Sequence, residues 1–393
     1  MPKDNIEKKE TNKRYRTMKF SVPSKTLHSY ASSVSKIINA KNALVILNNF
    51  LFTIEGETLT IAACDGENTL CARLPIMDVE GEGEVCIDAR RIVDLLRVMP
   101  EQELTFTIDD TTMEIEMSHP NGSYKFMGIS GSEYPRIKRA QEANSIEFTA
   151  PGSNLLRALE STAFAAGTDP LRPQMMGVLW DIKPDRLIFV ATDTHKLVKY
   201  EDTSIASRIE GSFILPNKST NVFKSVFSKD EIVRVVLNPE QGVIFETDTF
   251  TFDSRLVKGR FPDYNRVIPA TNPYSLTVDR QMFSNACRRV SLFVDEGHGL
   301  LKFRIEPEKM TIKASDNEYN TSGLETLDCE FTGTNMVIGF SSFYLADLTG
   351  ILWTEKIVFQ LADPSRPAVI VPTEDRPDTK LTMLLMPMNV AEF

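Results

Sequence analysis

The sequence lacks several features that would define its class at once. No stretch approaches the roughly 20 consecutive apolar residues of a membrane-spanning helix, and the charged N-terminus has no apolar run behind it, so neither a membrane protein nor a secreted one is indicated. The five cysteines include no Cys-x-x-Cys pair, which disfavours a zinc site or a disulfide framework. We therefore expect a cytoplasmic protein whose cysteines are small core residues.

Signatures of catalysis are also scarce. The chain contains no P-loop, no nucleophile elbow and no G-x-G-x-x-G motif, and its four histidines have no second ligand at metal-binding spacing. Asp193 and His195 are the one pair that suggests acid–base chemistry. A hydrolase or transferase using this pair stays open as the weaker hypothesis, and we expect no metal and no cofactor.

The overall charge argues against a nucleic-acid partner at first sight. The 393 residues include 44 Lys and Arg against 54 Asp and Glu, which gives a net charge of -10. Residues 1–17 hold six basic and three acidic residues with almost no apolar ones, and they predict a disordered basic tail. The folded chain is expected to begin near Met18.

A domain-sized internal repeat is the most informative pattern. Phe20-Ser-Val-Pro, Phe148-Thr-Ala-Pro and Leu276-Thr-Val-Asp recur at a spacing of 128 residues. Two further sets of segments, beginning at Leu59, Leu187 and Met310 and at Val85, Phe213 and Val337, keep the same order. A repeat of this length has the size of a domain, so the chain reads as three similar domains in tandem, 18–143, 144–272 and 273–393.

Each repeat is predicted to contain two copies of one unit, a strand and a helix followed by three strands. In the first repeat, strand-like alternation at Met18–Val22 leads into a helical pattern, and further alternation follows over Ala43–Ile54. The fold class is therefore α+β, with antiparallel sheets packed on paired helices. Asp88 and Asp279 stand where helix N-caps are expected, with Ser24 and Ser153 at comparable starts.

The charges are segregated by structural element. Six helices are predicted, and together they carry eleven basic and five acidic residues, a charge of +6, so the rest of the chain carries -16. The predicted helices span 24–38, 88–99, 153–166, 216–228, 279–291 and 340–351. If the helices share one surface, a duplex backbone can approach that side and is repelled from the sheets.

Three motifs resemble those of a known family. Gly259-Arg-Phe-Pro-Asp-Tyr-Asn-Arg-Val-Ile-Pro269, Ala191-Thr-Asp-Thr-His-Lys-Leu197 and Met386-Pro-Met388 are similar to hallmark motifs of the bacterial sliding clamp, the beta subunit of DNA polymerase III. The resemblance covers essentially residues 18–390.

This resemblance implies a non-enzymatic processivity clamp. Two chains would associate head to tail in a ring, with helices lining a hole for duplex DNA and sheets outside, the DNA clamp fold. Closure would pair the segment Met113–Met127 with the region around Leu292–Val294 of the partner chain. The implied partners are sequence-independent double-stranded DNA, a DNA polymerase and clamp loader subunits.

The resemblance also implies a pocket that binds short linear peptides of partner proteins. The positions carried over by motif are Arg172, Met175, Thr192, His195, Lys196, Leu197, Pro262, Arg266, Val267, Ser341, Tyr344, Met386, Pro387 and Met388. Within the Gly259–Pro269 motif, we expect Phe261 to be buried and Pro262 and Arg266 to be presented.

This sequence departs from the common family pattern near the pocket. Gln174 and Met175 stand where an aromatic–leucine pair is frequent, Thr194 replaces a glycine, and Lys196 replaces an arginine, so the preferred peptide is expected to differ. Three residues, Ala391 to Phe393, extend past the usual end of the tail. They would crowd the pocket or be foreign to the natural protein.

The candidate DNA-contacting residues are one loop lysine and seven cations of the predicted helices. They are Lys41, Arg90, Arg91, Arg157, Lys218, Lys224, Arg288 and Arg289. Besides the enzyme hypothesis, a repeat scaffold unrelated to DNA remains an alternative.

Overall fold

The computed structural model describes residues 17–39, 44–136, 145–207, 209–294, 297, 299–316, 318–390 and 393. The predicted tail and Lys41 lie outside the described residues, apart from Thr17, which is the first residue of β1 rather than part of a tail.

The described residues form seven α-helices and 27 β-strands. The helices are α1 (Ser24–Ser35), α2 (Ala89–Val98), α3 (Gly152–Thr162), α4 (Asn217–Val226), α5 (Tyr264–Val267), α6 (Arg280–Val290) and α7 (Ser342–Gly350). The strands that precede α3 are β1 (Thr17–Pro23), β2 (Asn49–Glu55), β3 (Thr58–Cys64), β4 (Asn68–Pro75), β5 (Met77–Glu80), β6 (Gly83–Asp88), β7 (Glu103–Asp109), β8 (Glu114–His119), β9 (Gly122–Met127), β10 (Ile129–Ser130) and β11 (Ile146–Pro151). Those between α3 and α6 are β12 (Gly177–Lys183), β13 (Arg186–Thr192), β14 (Lys196–Asp202), β15 (Gly211–Pro216), β16 (Ile232–Asn238), β17 (Gly242–Glu246), β18 (Phe250–Ser254) and β19 (Tyr274–Asp279). The remaining strands are β20 (Leu300–Ile305), β21 (Lys309–Asp316), β22 (Thr321–Asp328), β23 (Glu330–Phe331), β24 (Met336–Ser341), β25 (Lys356–Leu361), β26 (Ala368–Pro372) and β27 (Thr379–Leu385).

The predicted alternation of strand, helix and three strands is confirmed. The middle repeat runs β11, α3, β12, β13, β14 and then β15, α4, β16, β17, β18. The first repeat follows the same order with two added short strands, β5 and β10, and the third with one, β23. All six predicted helices are present, although each is shorter than its apolar pattern, and α5 is an additional short helix.

The N-cap residues agree with expectation in two helices and differ in two. Asp88 and Asp279 are N-caps, since their side chains accept hydrogen bonds from the amides of Arg91 and Met282, each at 2.7 Å. The caps of α1 and α3, however, are prolines, not Ser24 and Ser153. Loops supply the missing acceptors there: the Ser24 amide donates to the carbonyl of Gln102 at 2.8 Å, and the Ser153 amide donates to that of Lys229 at 3.1 Å.

The chain forms two compact units. The first comprises Met1–Ala140 with Ile244–Ser254, and the second comprises Gln141–Val243 with Arg255–Phe393.

In the first unit, one antiparallel sheet has the strand order β5-β1-β7-β8-β9. A second group of hydrogen-bonded antiparallel strands has the order β10-β6-β2-β3-β4-β18. Helices α1 and α2 contact each other, α1 lies on β3 and α2 lies on β6.

The strand predicted over Ala43–Ile54 is wrong in its first half. Val45–Asn48 form a 3-10 turn, and β2 begins only at Asn49. Leu47 enters a small apolar cluster with Leu51 and Tyr134, and this packing outweighs the strand preference of the local sequence.

In the second unit, nine antiparallel strands form one sheet in the order β15-β12-β13-β14-β27-β26-β25-β19-β23, and four form another in the order β22-β21-β20-β24. Helix α3 contacts α4, and α6 contacts α7. Because β14 pairs with β27, the C-terminal strand lies directly beside the turn that carries Asp193 and His195.

Aromatic side chains fill the layer between helices and sheets. Phe20 and Phe106 stack with ring centroids 4.9 Å apart in the first unit. In the second, Trp180 packs edge-on against Phe189 at 4.6 Å, and Phe283 of α6 contacts Phe359 at 5.2 Å.

Among the described residues, no helix is long and apolar enough to cross a bilayer. The cysteines are free thiols, four of them buried. Burial and the nearby Glu133 and Glu84 raise the pKa of Cys86 to about 12. In the same ranges, no group of three or more His, Cys, Asp or Glu is placed to hold a metal ion.

Candidate functional site

The turn between β13 and β14 is built around the Asp193 carboxylate. One of its oxygens accepts hydrogen bonds from the amides of His195 and Lys196, each at 2.9 Å. The Thr192 hydroxyl donates to the Lys196 carbonyl at 2.7 Å. Thr194, between them, has a φ of 81°, a left-handed conformation that β-branched residues rarely adopt. The turn therefore holds Thr194 and His195 outward, where both are exposed.

Lys196 connects this turn to helix α7. Its ammonium lies 3.0 Å from the Asp193 carboxylate, 4.0 Å from that of Asp347 and 4.3 Å from the centroid of the Tyr344 ring, and its side chain is only 7% exposed. The His195 ring lies nearly parallel to that of Tyr344, with centroids 5.9 Å apart. Burial, together with the charges of Asp193 and Asp347, raises the pKa of Tyr344, so the phenol is neutral at physiological pH.

The C-terminal tail crosses the same region. The amide of Met386 donates to the carbonyl of His195, and that of Met388 donates to the carbonyl of Gly339 on β24, both at 2.8 Å. A β-carbon on Gly339 would lie 2.9 Å from the backbone carbonyl oxygen of Met388 and 2.5 Å from a methyl group of Val390, so a larger residue would push the tail away from the sheet.

A cleft of about 270 Å³ opens in front of the turn. Its walls are formed by Gly167, Asp169, Arg172, Met175, Asp193, Thr194 and His195. Arg172 reaches the Thr194 hydroxyl at 3.5 Å and the Asp169 carboxylate at 3.9 Å. The guanidinium of Arg172 and the carboxylates of Asp169 and Asp193 are the charged groups of its lining.

The segment from Phe261 to Val267 forms a corner beside β14. Phe261 and Tyr264 are buried in one apolar cluster with Leu197, and the Tyr264 hydroxyl donates to Asp181 at 2.7 Å. As expected from the sequence, Phe261 is buried, whereas the side chain of Arg266 is 86% exposed. Val267 is half exposed.

The structure therefore divides the predicted pocket residues into three groups. Arg172, Met175 and His195 line the cleft itself. Others hold the turn, the tail and α7 in place: Thr192, Lys196, Leu197, Ser341, Tyr344, Met386 and Met388. Four predicted residues are not among those that line the cleft: Pro262, Arg266 and Val267, which lie on the α5 corner, and Pro387, which lies in the tail.

Sequence reasoning did not select Gly167, Asp169 or Asp347. Asp169 is recognisable afterwards as a turn residue, since its carboxylate accepts the Leu171 amide at 2.9 Å two positions on. Asp347 approaches Lys196 only through tertiary packing, and no local pattern marks it.

The predicted DNA-contacting cations differ in their surroundings. Arg90 lies 3.6 Å from Asp94 on α2, with 93% of its side chain exposed. Arg289 makes two hydrogen bonds to Glu325 of β22, both 2.7 Å long, and these bonds lower the pKa of Glu325. Arg91, Lys218 and Arg288 are exposed, and Arg157 and Lys224 are half-buried.

Two sheets end in strands with much of their surface exposed. Strand β9 pairs with β8 and β22 pairs with β21, and each is the last strand of its sheet in the described ranges. Met127 on β9 is 65% exposed and Leu324 on β22 is 60% exposed. Such edges are open to pairing with another chain.

Known families and structures identify the architecture. Residues 18–138, 149–263 and 265–389 match, in order, the N-terminal, central and C-terminal domains of the DNA polymerase III beta subunit. The beta sliding clamp of Pseudomonas aeruginosa is 28% identical over 377 residues, covering 95% of this chain and 100% of that protein. That of Synechococcus elongatus is 27% identical over 376 residues, covering 93% and 97%.

Solved structures agree with the sequence matches. A sliding clamp from Pseudomonas aeruginosa, bound to griselimycin, superposes with a TM-score of 0.88 at 26% identity, covering 95% of this chain and 100% of that one. The DNA polymerase III beta subunit of Thermotoga maritima gives a TM-score of 0.87 at 25% identity with the same coverage.

Proposed function

Because this chain belongs to the DNA polymerase III beta subunit family, we propose that it is a DNA sliding clamp, a non-catalytic processivity subunit that tethers a replicative polymerase to duplex DNA. The observation that carries this proposal is the extent of the match, which runs through residues 18–138, 149–263 and 265–389. The similarity thus spans all three repeats and is not confined to one shared domain. We further propose that the three domains span 18–143, 144–272 and 273–393, and that the protein acts in the cytoplasm.

Partner proteins are proposed to bind through a short linear peptide at the cleft in front of the Asp193 turn. Arg172, Met175 and His195 would contact the peptide, and the tail from Met386 to Met388 would form an adjacent wall. Support comes from the exposed side chains of the turn and from the flexible methionines, which adapt to related peptides. DNA polymerase and clamp loader subunits would both dock here.

The functional assembly is proposed to be a head-to-tail homodimer. Strand β9, within the expected segment Met113–Met127, would pair with β22 of the next chain, which satisfies backbone groups at both edges and covers Met127 and Leu324. The region around Leu292–Val294, expected at this junction from the sequence, contains a 3-10 turn that contacts β22, so it would lie beside the paired strands and not form the edge itself. The native mass tests the dimer, because a ring of two chains has a mass of about twice 44.2 kDa. A scaffold of single chains or open filaments would give one chain mass or a broad distribution.

The helices are proposed to line the hole and face the DNA backbone. Lys41, Arg90, Arg91, Arg157, Lys218, Lys224, Arg288 and Arg289 are the proposed contacts. A net charge of -10 is compatible with this role, because a closed ring is retained by topology and needs only weak phosphate contacts. Strong contacts would slow sliding.

The geometry disfavours the enzyme alternative. The Asp193 carboxylate is occupied by two backbone amides and by Lys196, and the His195 ring is stacked on Tyr344. For His195 to act as a general base, the Asp193 carboxylate would instead have to accept a hydrogen bond from its imidazole. The test is His195→Ala: we expect weaker binding of a labelled Leu- and Phe-containing peptide with the dimer intact. Loss of a hydrolytic or transfer activity in this variant would favour the enzyme.

A further inference from the structure

Three cations lie on one face of the four-stranded sheet in the second unit. Lys302 of β20 is directly opposite Lys313 of β21, and Arg304 is two residues along β20, on the same face. An aromatic ring placed over this face can contact cations from two strands, Arg304 of β20 and Lys313 of β21.

The C-terminal residue occupies this face. The ring centroid of Phe393 lies 4.0 Å from the guanidinium carbon of Arg304 and 5.6 Å from the Lys313 ammonium. Both distances are within the range of cation–π attraction. The Phe393 ring therefore lies on the sheet and not in the cleft, whereas crowding of the pocket was one of the two alternatives expected for residues 391–393.

The tail reaches this point after two backbone attachments. Met386 is bonded to the His195 carbonyl and Met388 to that of Gly339, and Val390 packs over Gly339. The pairing with β24 is a single bridge, not a strand. Two backbone hydrogen bonds and one bridge are a weak restraint on this segment.

We propose that Phe393 is a positioning residue for partner binding. Its ring, held on Arg304 and Lys313, anchors the end of the tail and thereby keeps Met386 and Met388 in place as a wall of the peptide pocket. That this wall belongs to a peptide pocket rests on the proposed function. The anchoring of the tail by Phe393 does not depend on it.

The test compares Phe393→Ala, Phe393→Leu and Phe393→Tyr in the 393-residue chain. Two readouts are used: the Kd of a fluorescein-labelled hexapeptide containing adjacent Leu and Phe, and the hydrogen-exchange rates of the Met386 and Met388 amides. We expect about 3- to 10-fold weaker binding and faster exchange for Ala and Leu, because neither side chain offers a ring to the cations. Tyr should behave like the wild type.

Arg376→Ala is the matched control. It removes a cation–π pair of the same kind, with the Arg376 guanidinium carbon 4.4 Å from the Trp353 ring, on a different loop of the unit. This variant should leave both readouts unchanged.

The outcomes separate the two proposals. Phe393→Ala with wild-type affinity, or with wild-type exchange at Met386 and Met388, overturns the positioning role. If the wild-type chain binds no such peptide, the proposed pocket is refuted, and the exchange rates alone then support or overturn the anchoring by Phe393.

Discussion

Thr194 is expected to store backbone strain that a glycine would release. A β-branched residue at a φ of 81° costs about 1 to 2 kcal/mol. Glycine adopts this conformation freely but adds about 0.5 to 1 kcal/mol of unfolded-state entropy. The contact from Arg172 to the hydroxyl is long, at 3.5 Å, so its loss matters little. Thr194→Gly should therefore stabilise the fold by about 0.5 to 1 kcal/mol.

Urea unfolding measured by Trp180 fluorescence provides the assay. The sequence has two tryptophans, so a Trp353→Phe background isolates Trp180, which pairs with β13 next to the turn. For a slope of about 2 kcal/mol per M, the midpoint should rise by roughly 0.3 to 0.5 M.

Thr194→Val separates strain from the lost hydroxyl, because valine keeps the β-branch and replaces only the hydroxyl with a methyl group. Its midpoint should equal or fall slightly below that of the wild type. A glycine variant no more stable than the valine variant would refute the strain argument.

Three other changes test separate parts of the structure. Lys196→Met should lower the stability read by the same urea assay by about 1 to 3 kcal/mol, because the nearly buried Asp193 carboxylate loses its ammonium partner; an unchanged midpoint would contradict this. In the folded chain the pKa of Glu325 lies below its usual value because Arg289 donates to it, so its stabilising contribution is present above about pH 4.3 and lost as the pH falls further. Arg289→Ala should return that pKa toward the usual value in an NMR titration, and no upward change would count against the pairing. Gly339→Ala places a methyl group 2.5 Å from the tail, so it should weaken peptide binding and speed amide exchange in the tail; wild-type values would show that the tail does not need this close approach.

The elements that could be predicted are those whose signals are local. The N-caps at Asp88 and Asp279 follow from a short polar side chain just before an apolar helical pattern, and both are present. The capping roles expected of Ser24 and Ser153 were wrong, because the caps are Pro23 and Pro151 and the acceptors of the serine amides are carbonyls from distant loops. The sequence next to Ser24 and Ser153 does not indicate that distant loops supply these acceptors.

In the candidate site, too, residues marked by a local motif could be predicted, whereas contacts made by tertiary packing could not. Arg172 and His195 were placed by motif, and both line the cleft. The strain at Thr194 could have been anticipated, since it replaces a glycine of the family pattern. By contrast, the approach of Asp347 to Lys196 and the position of Phe393 on Arg304 depend on tertiary packing, which no local spacing encodes.

Retention on circular and linear duplex DNA after loading by the cognate ATP-driven loader tests the central claim most directly. A ring that encloses DNA should stay on the closed circle and run off the free ends of the linear duplex of the same length, at equal salt. Equal retention on both would mean that the protein holds DNA by surface charge, and the proposed enclosure would be wrong.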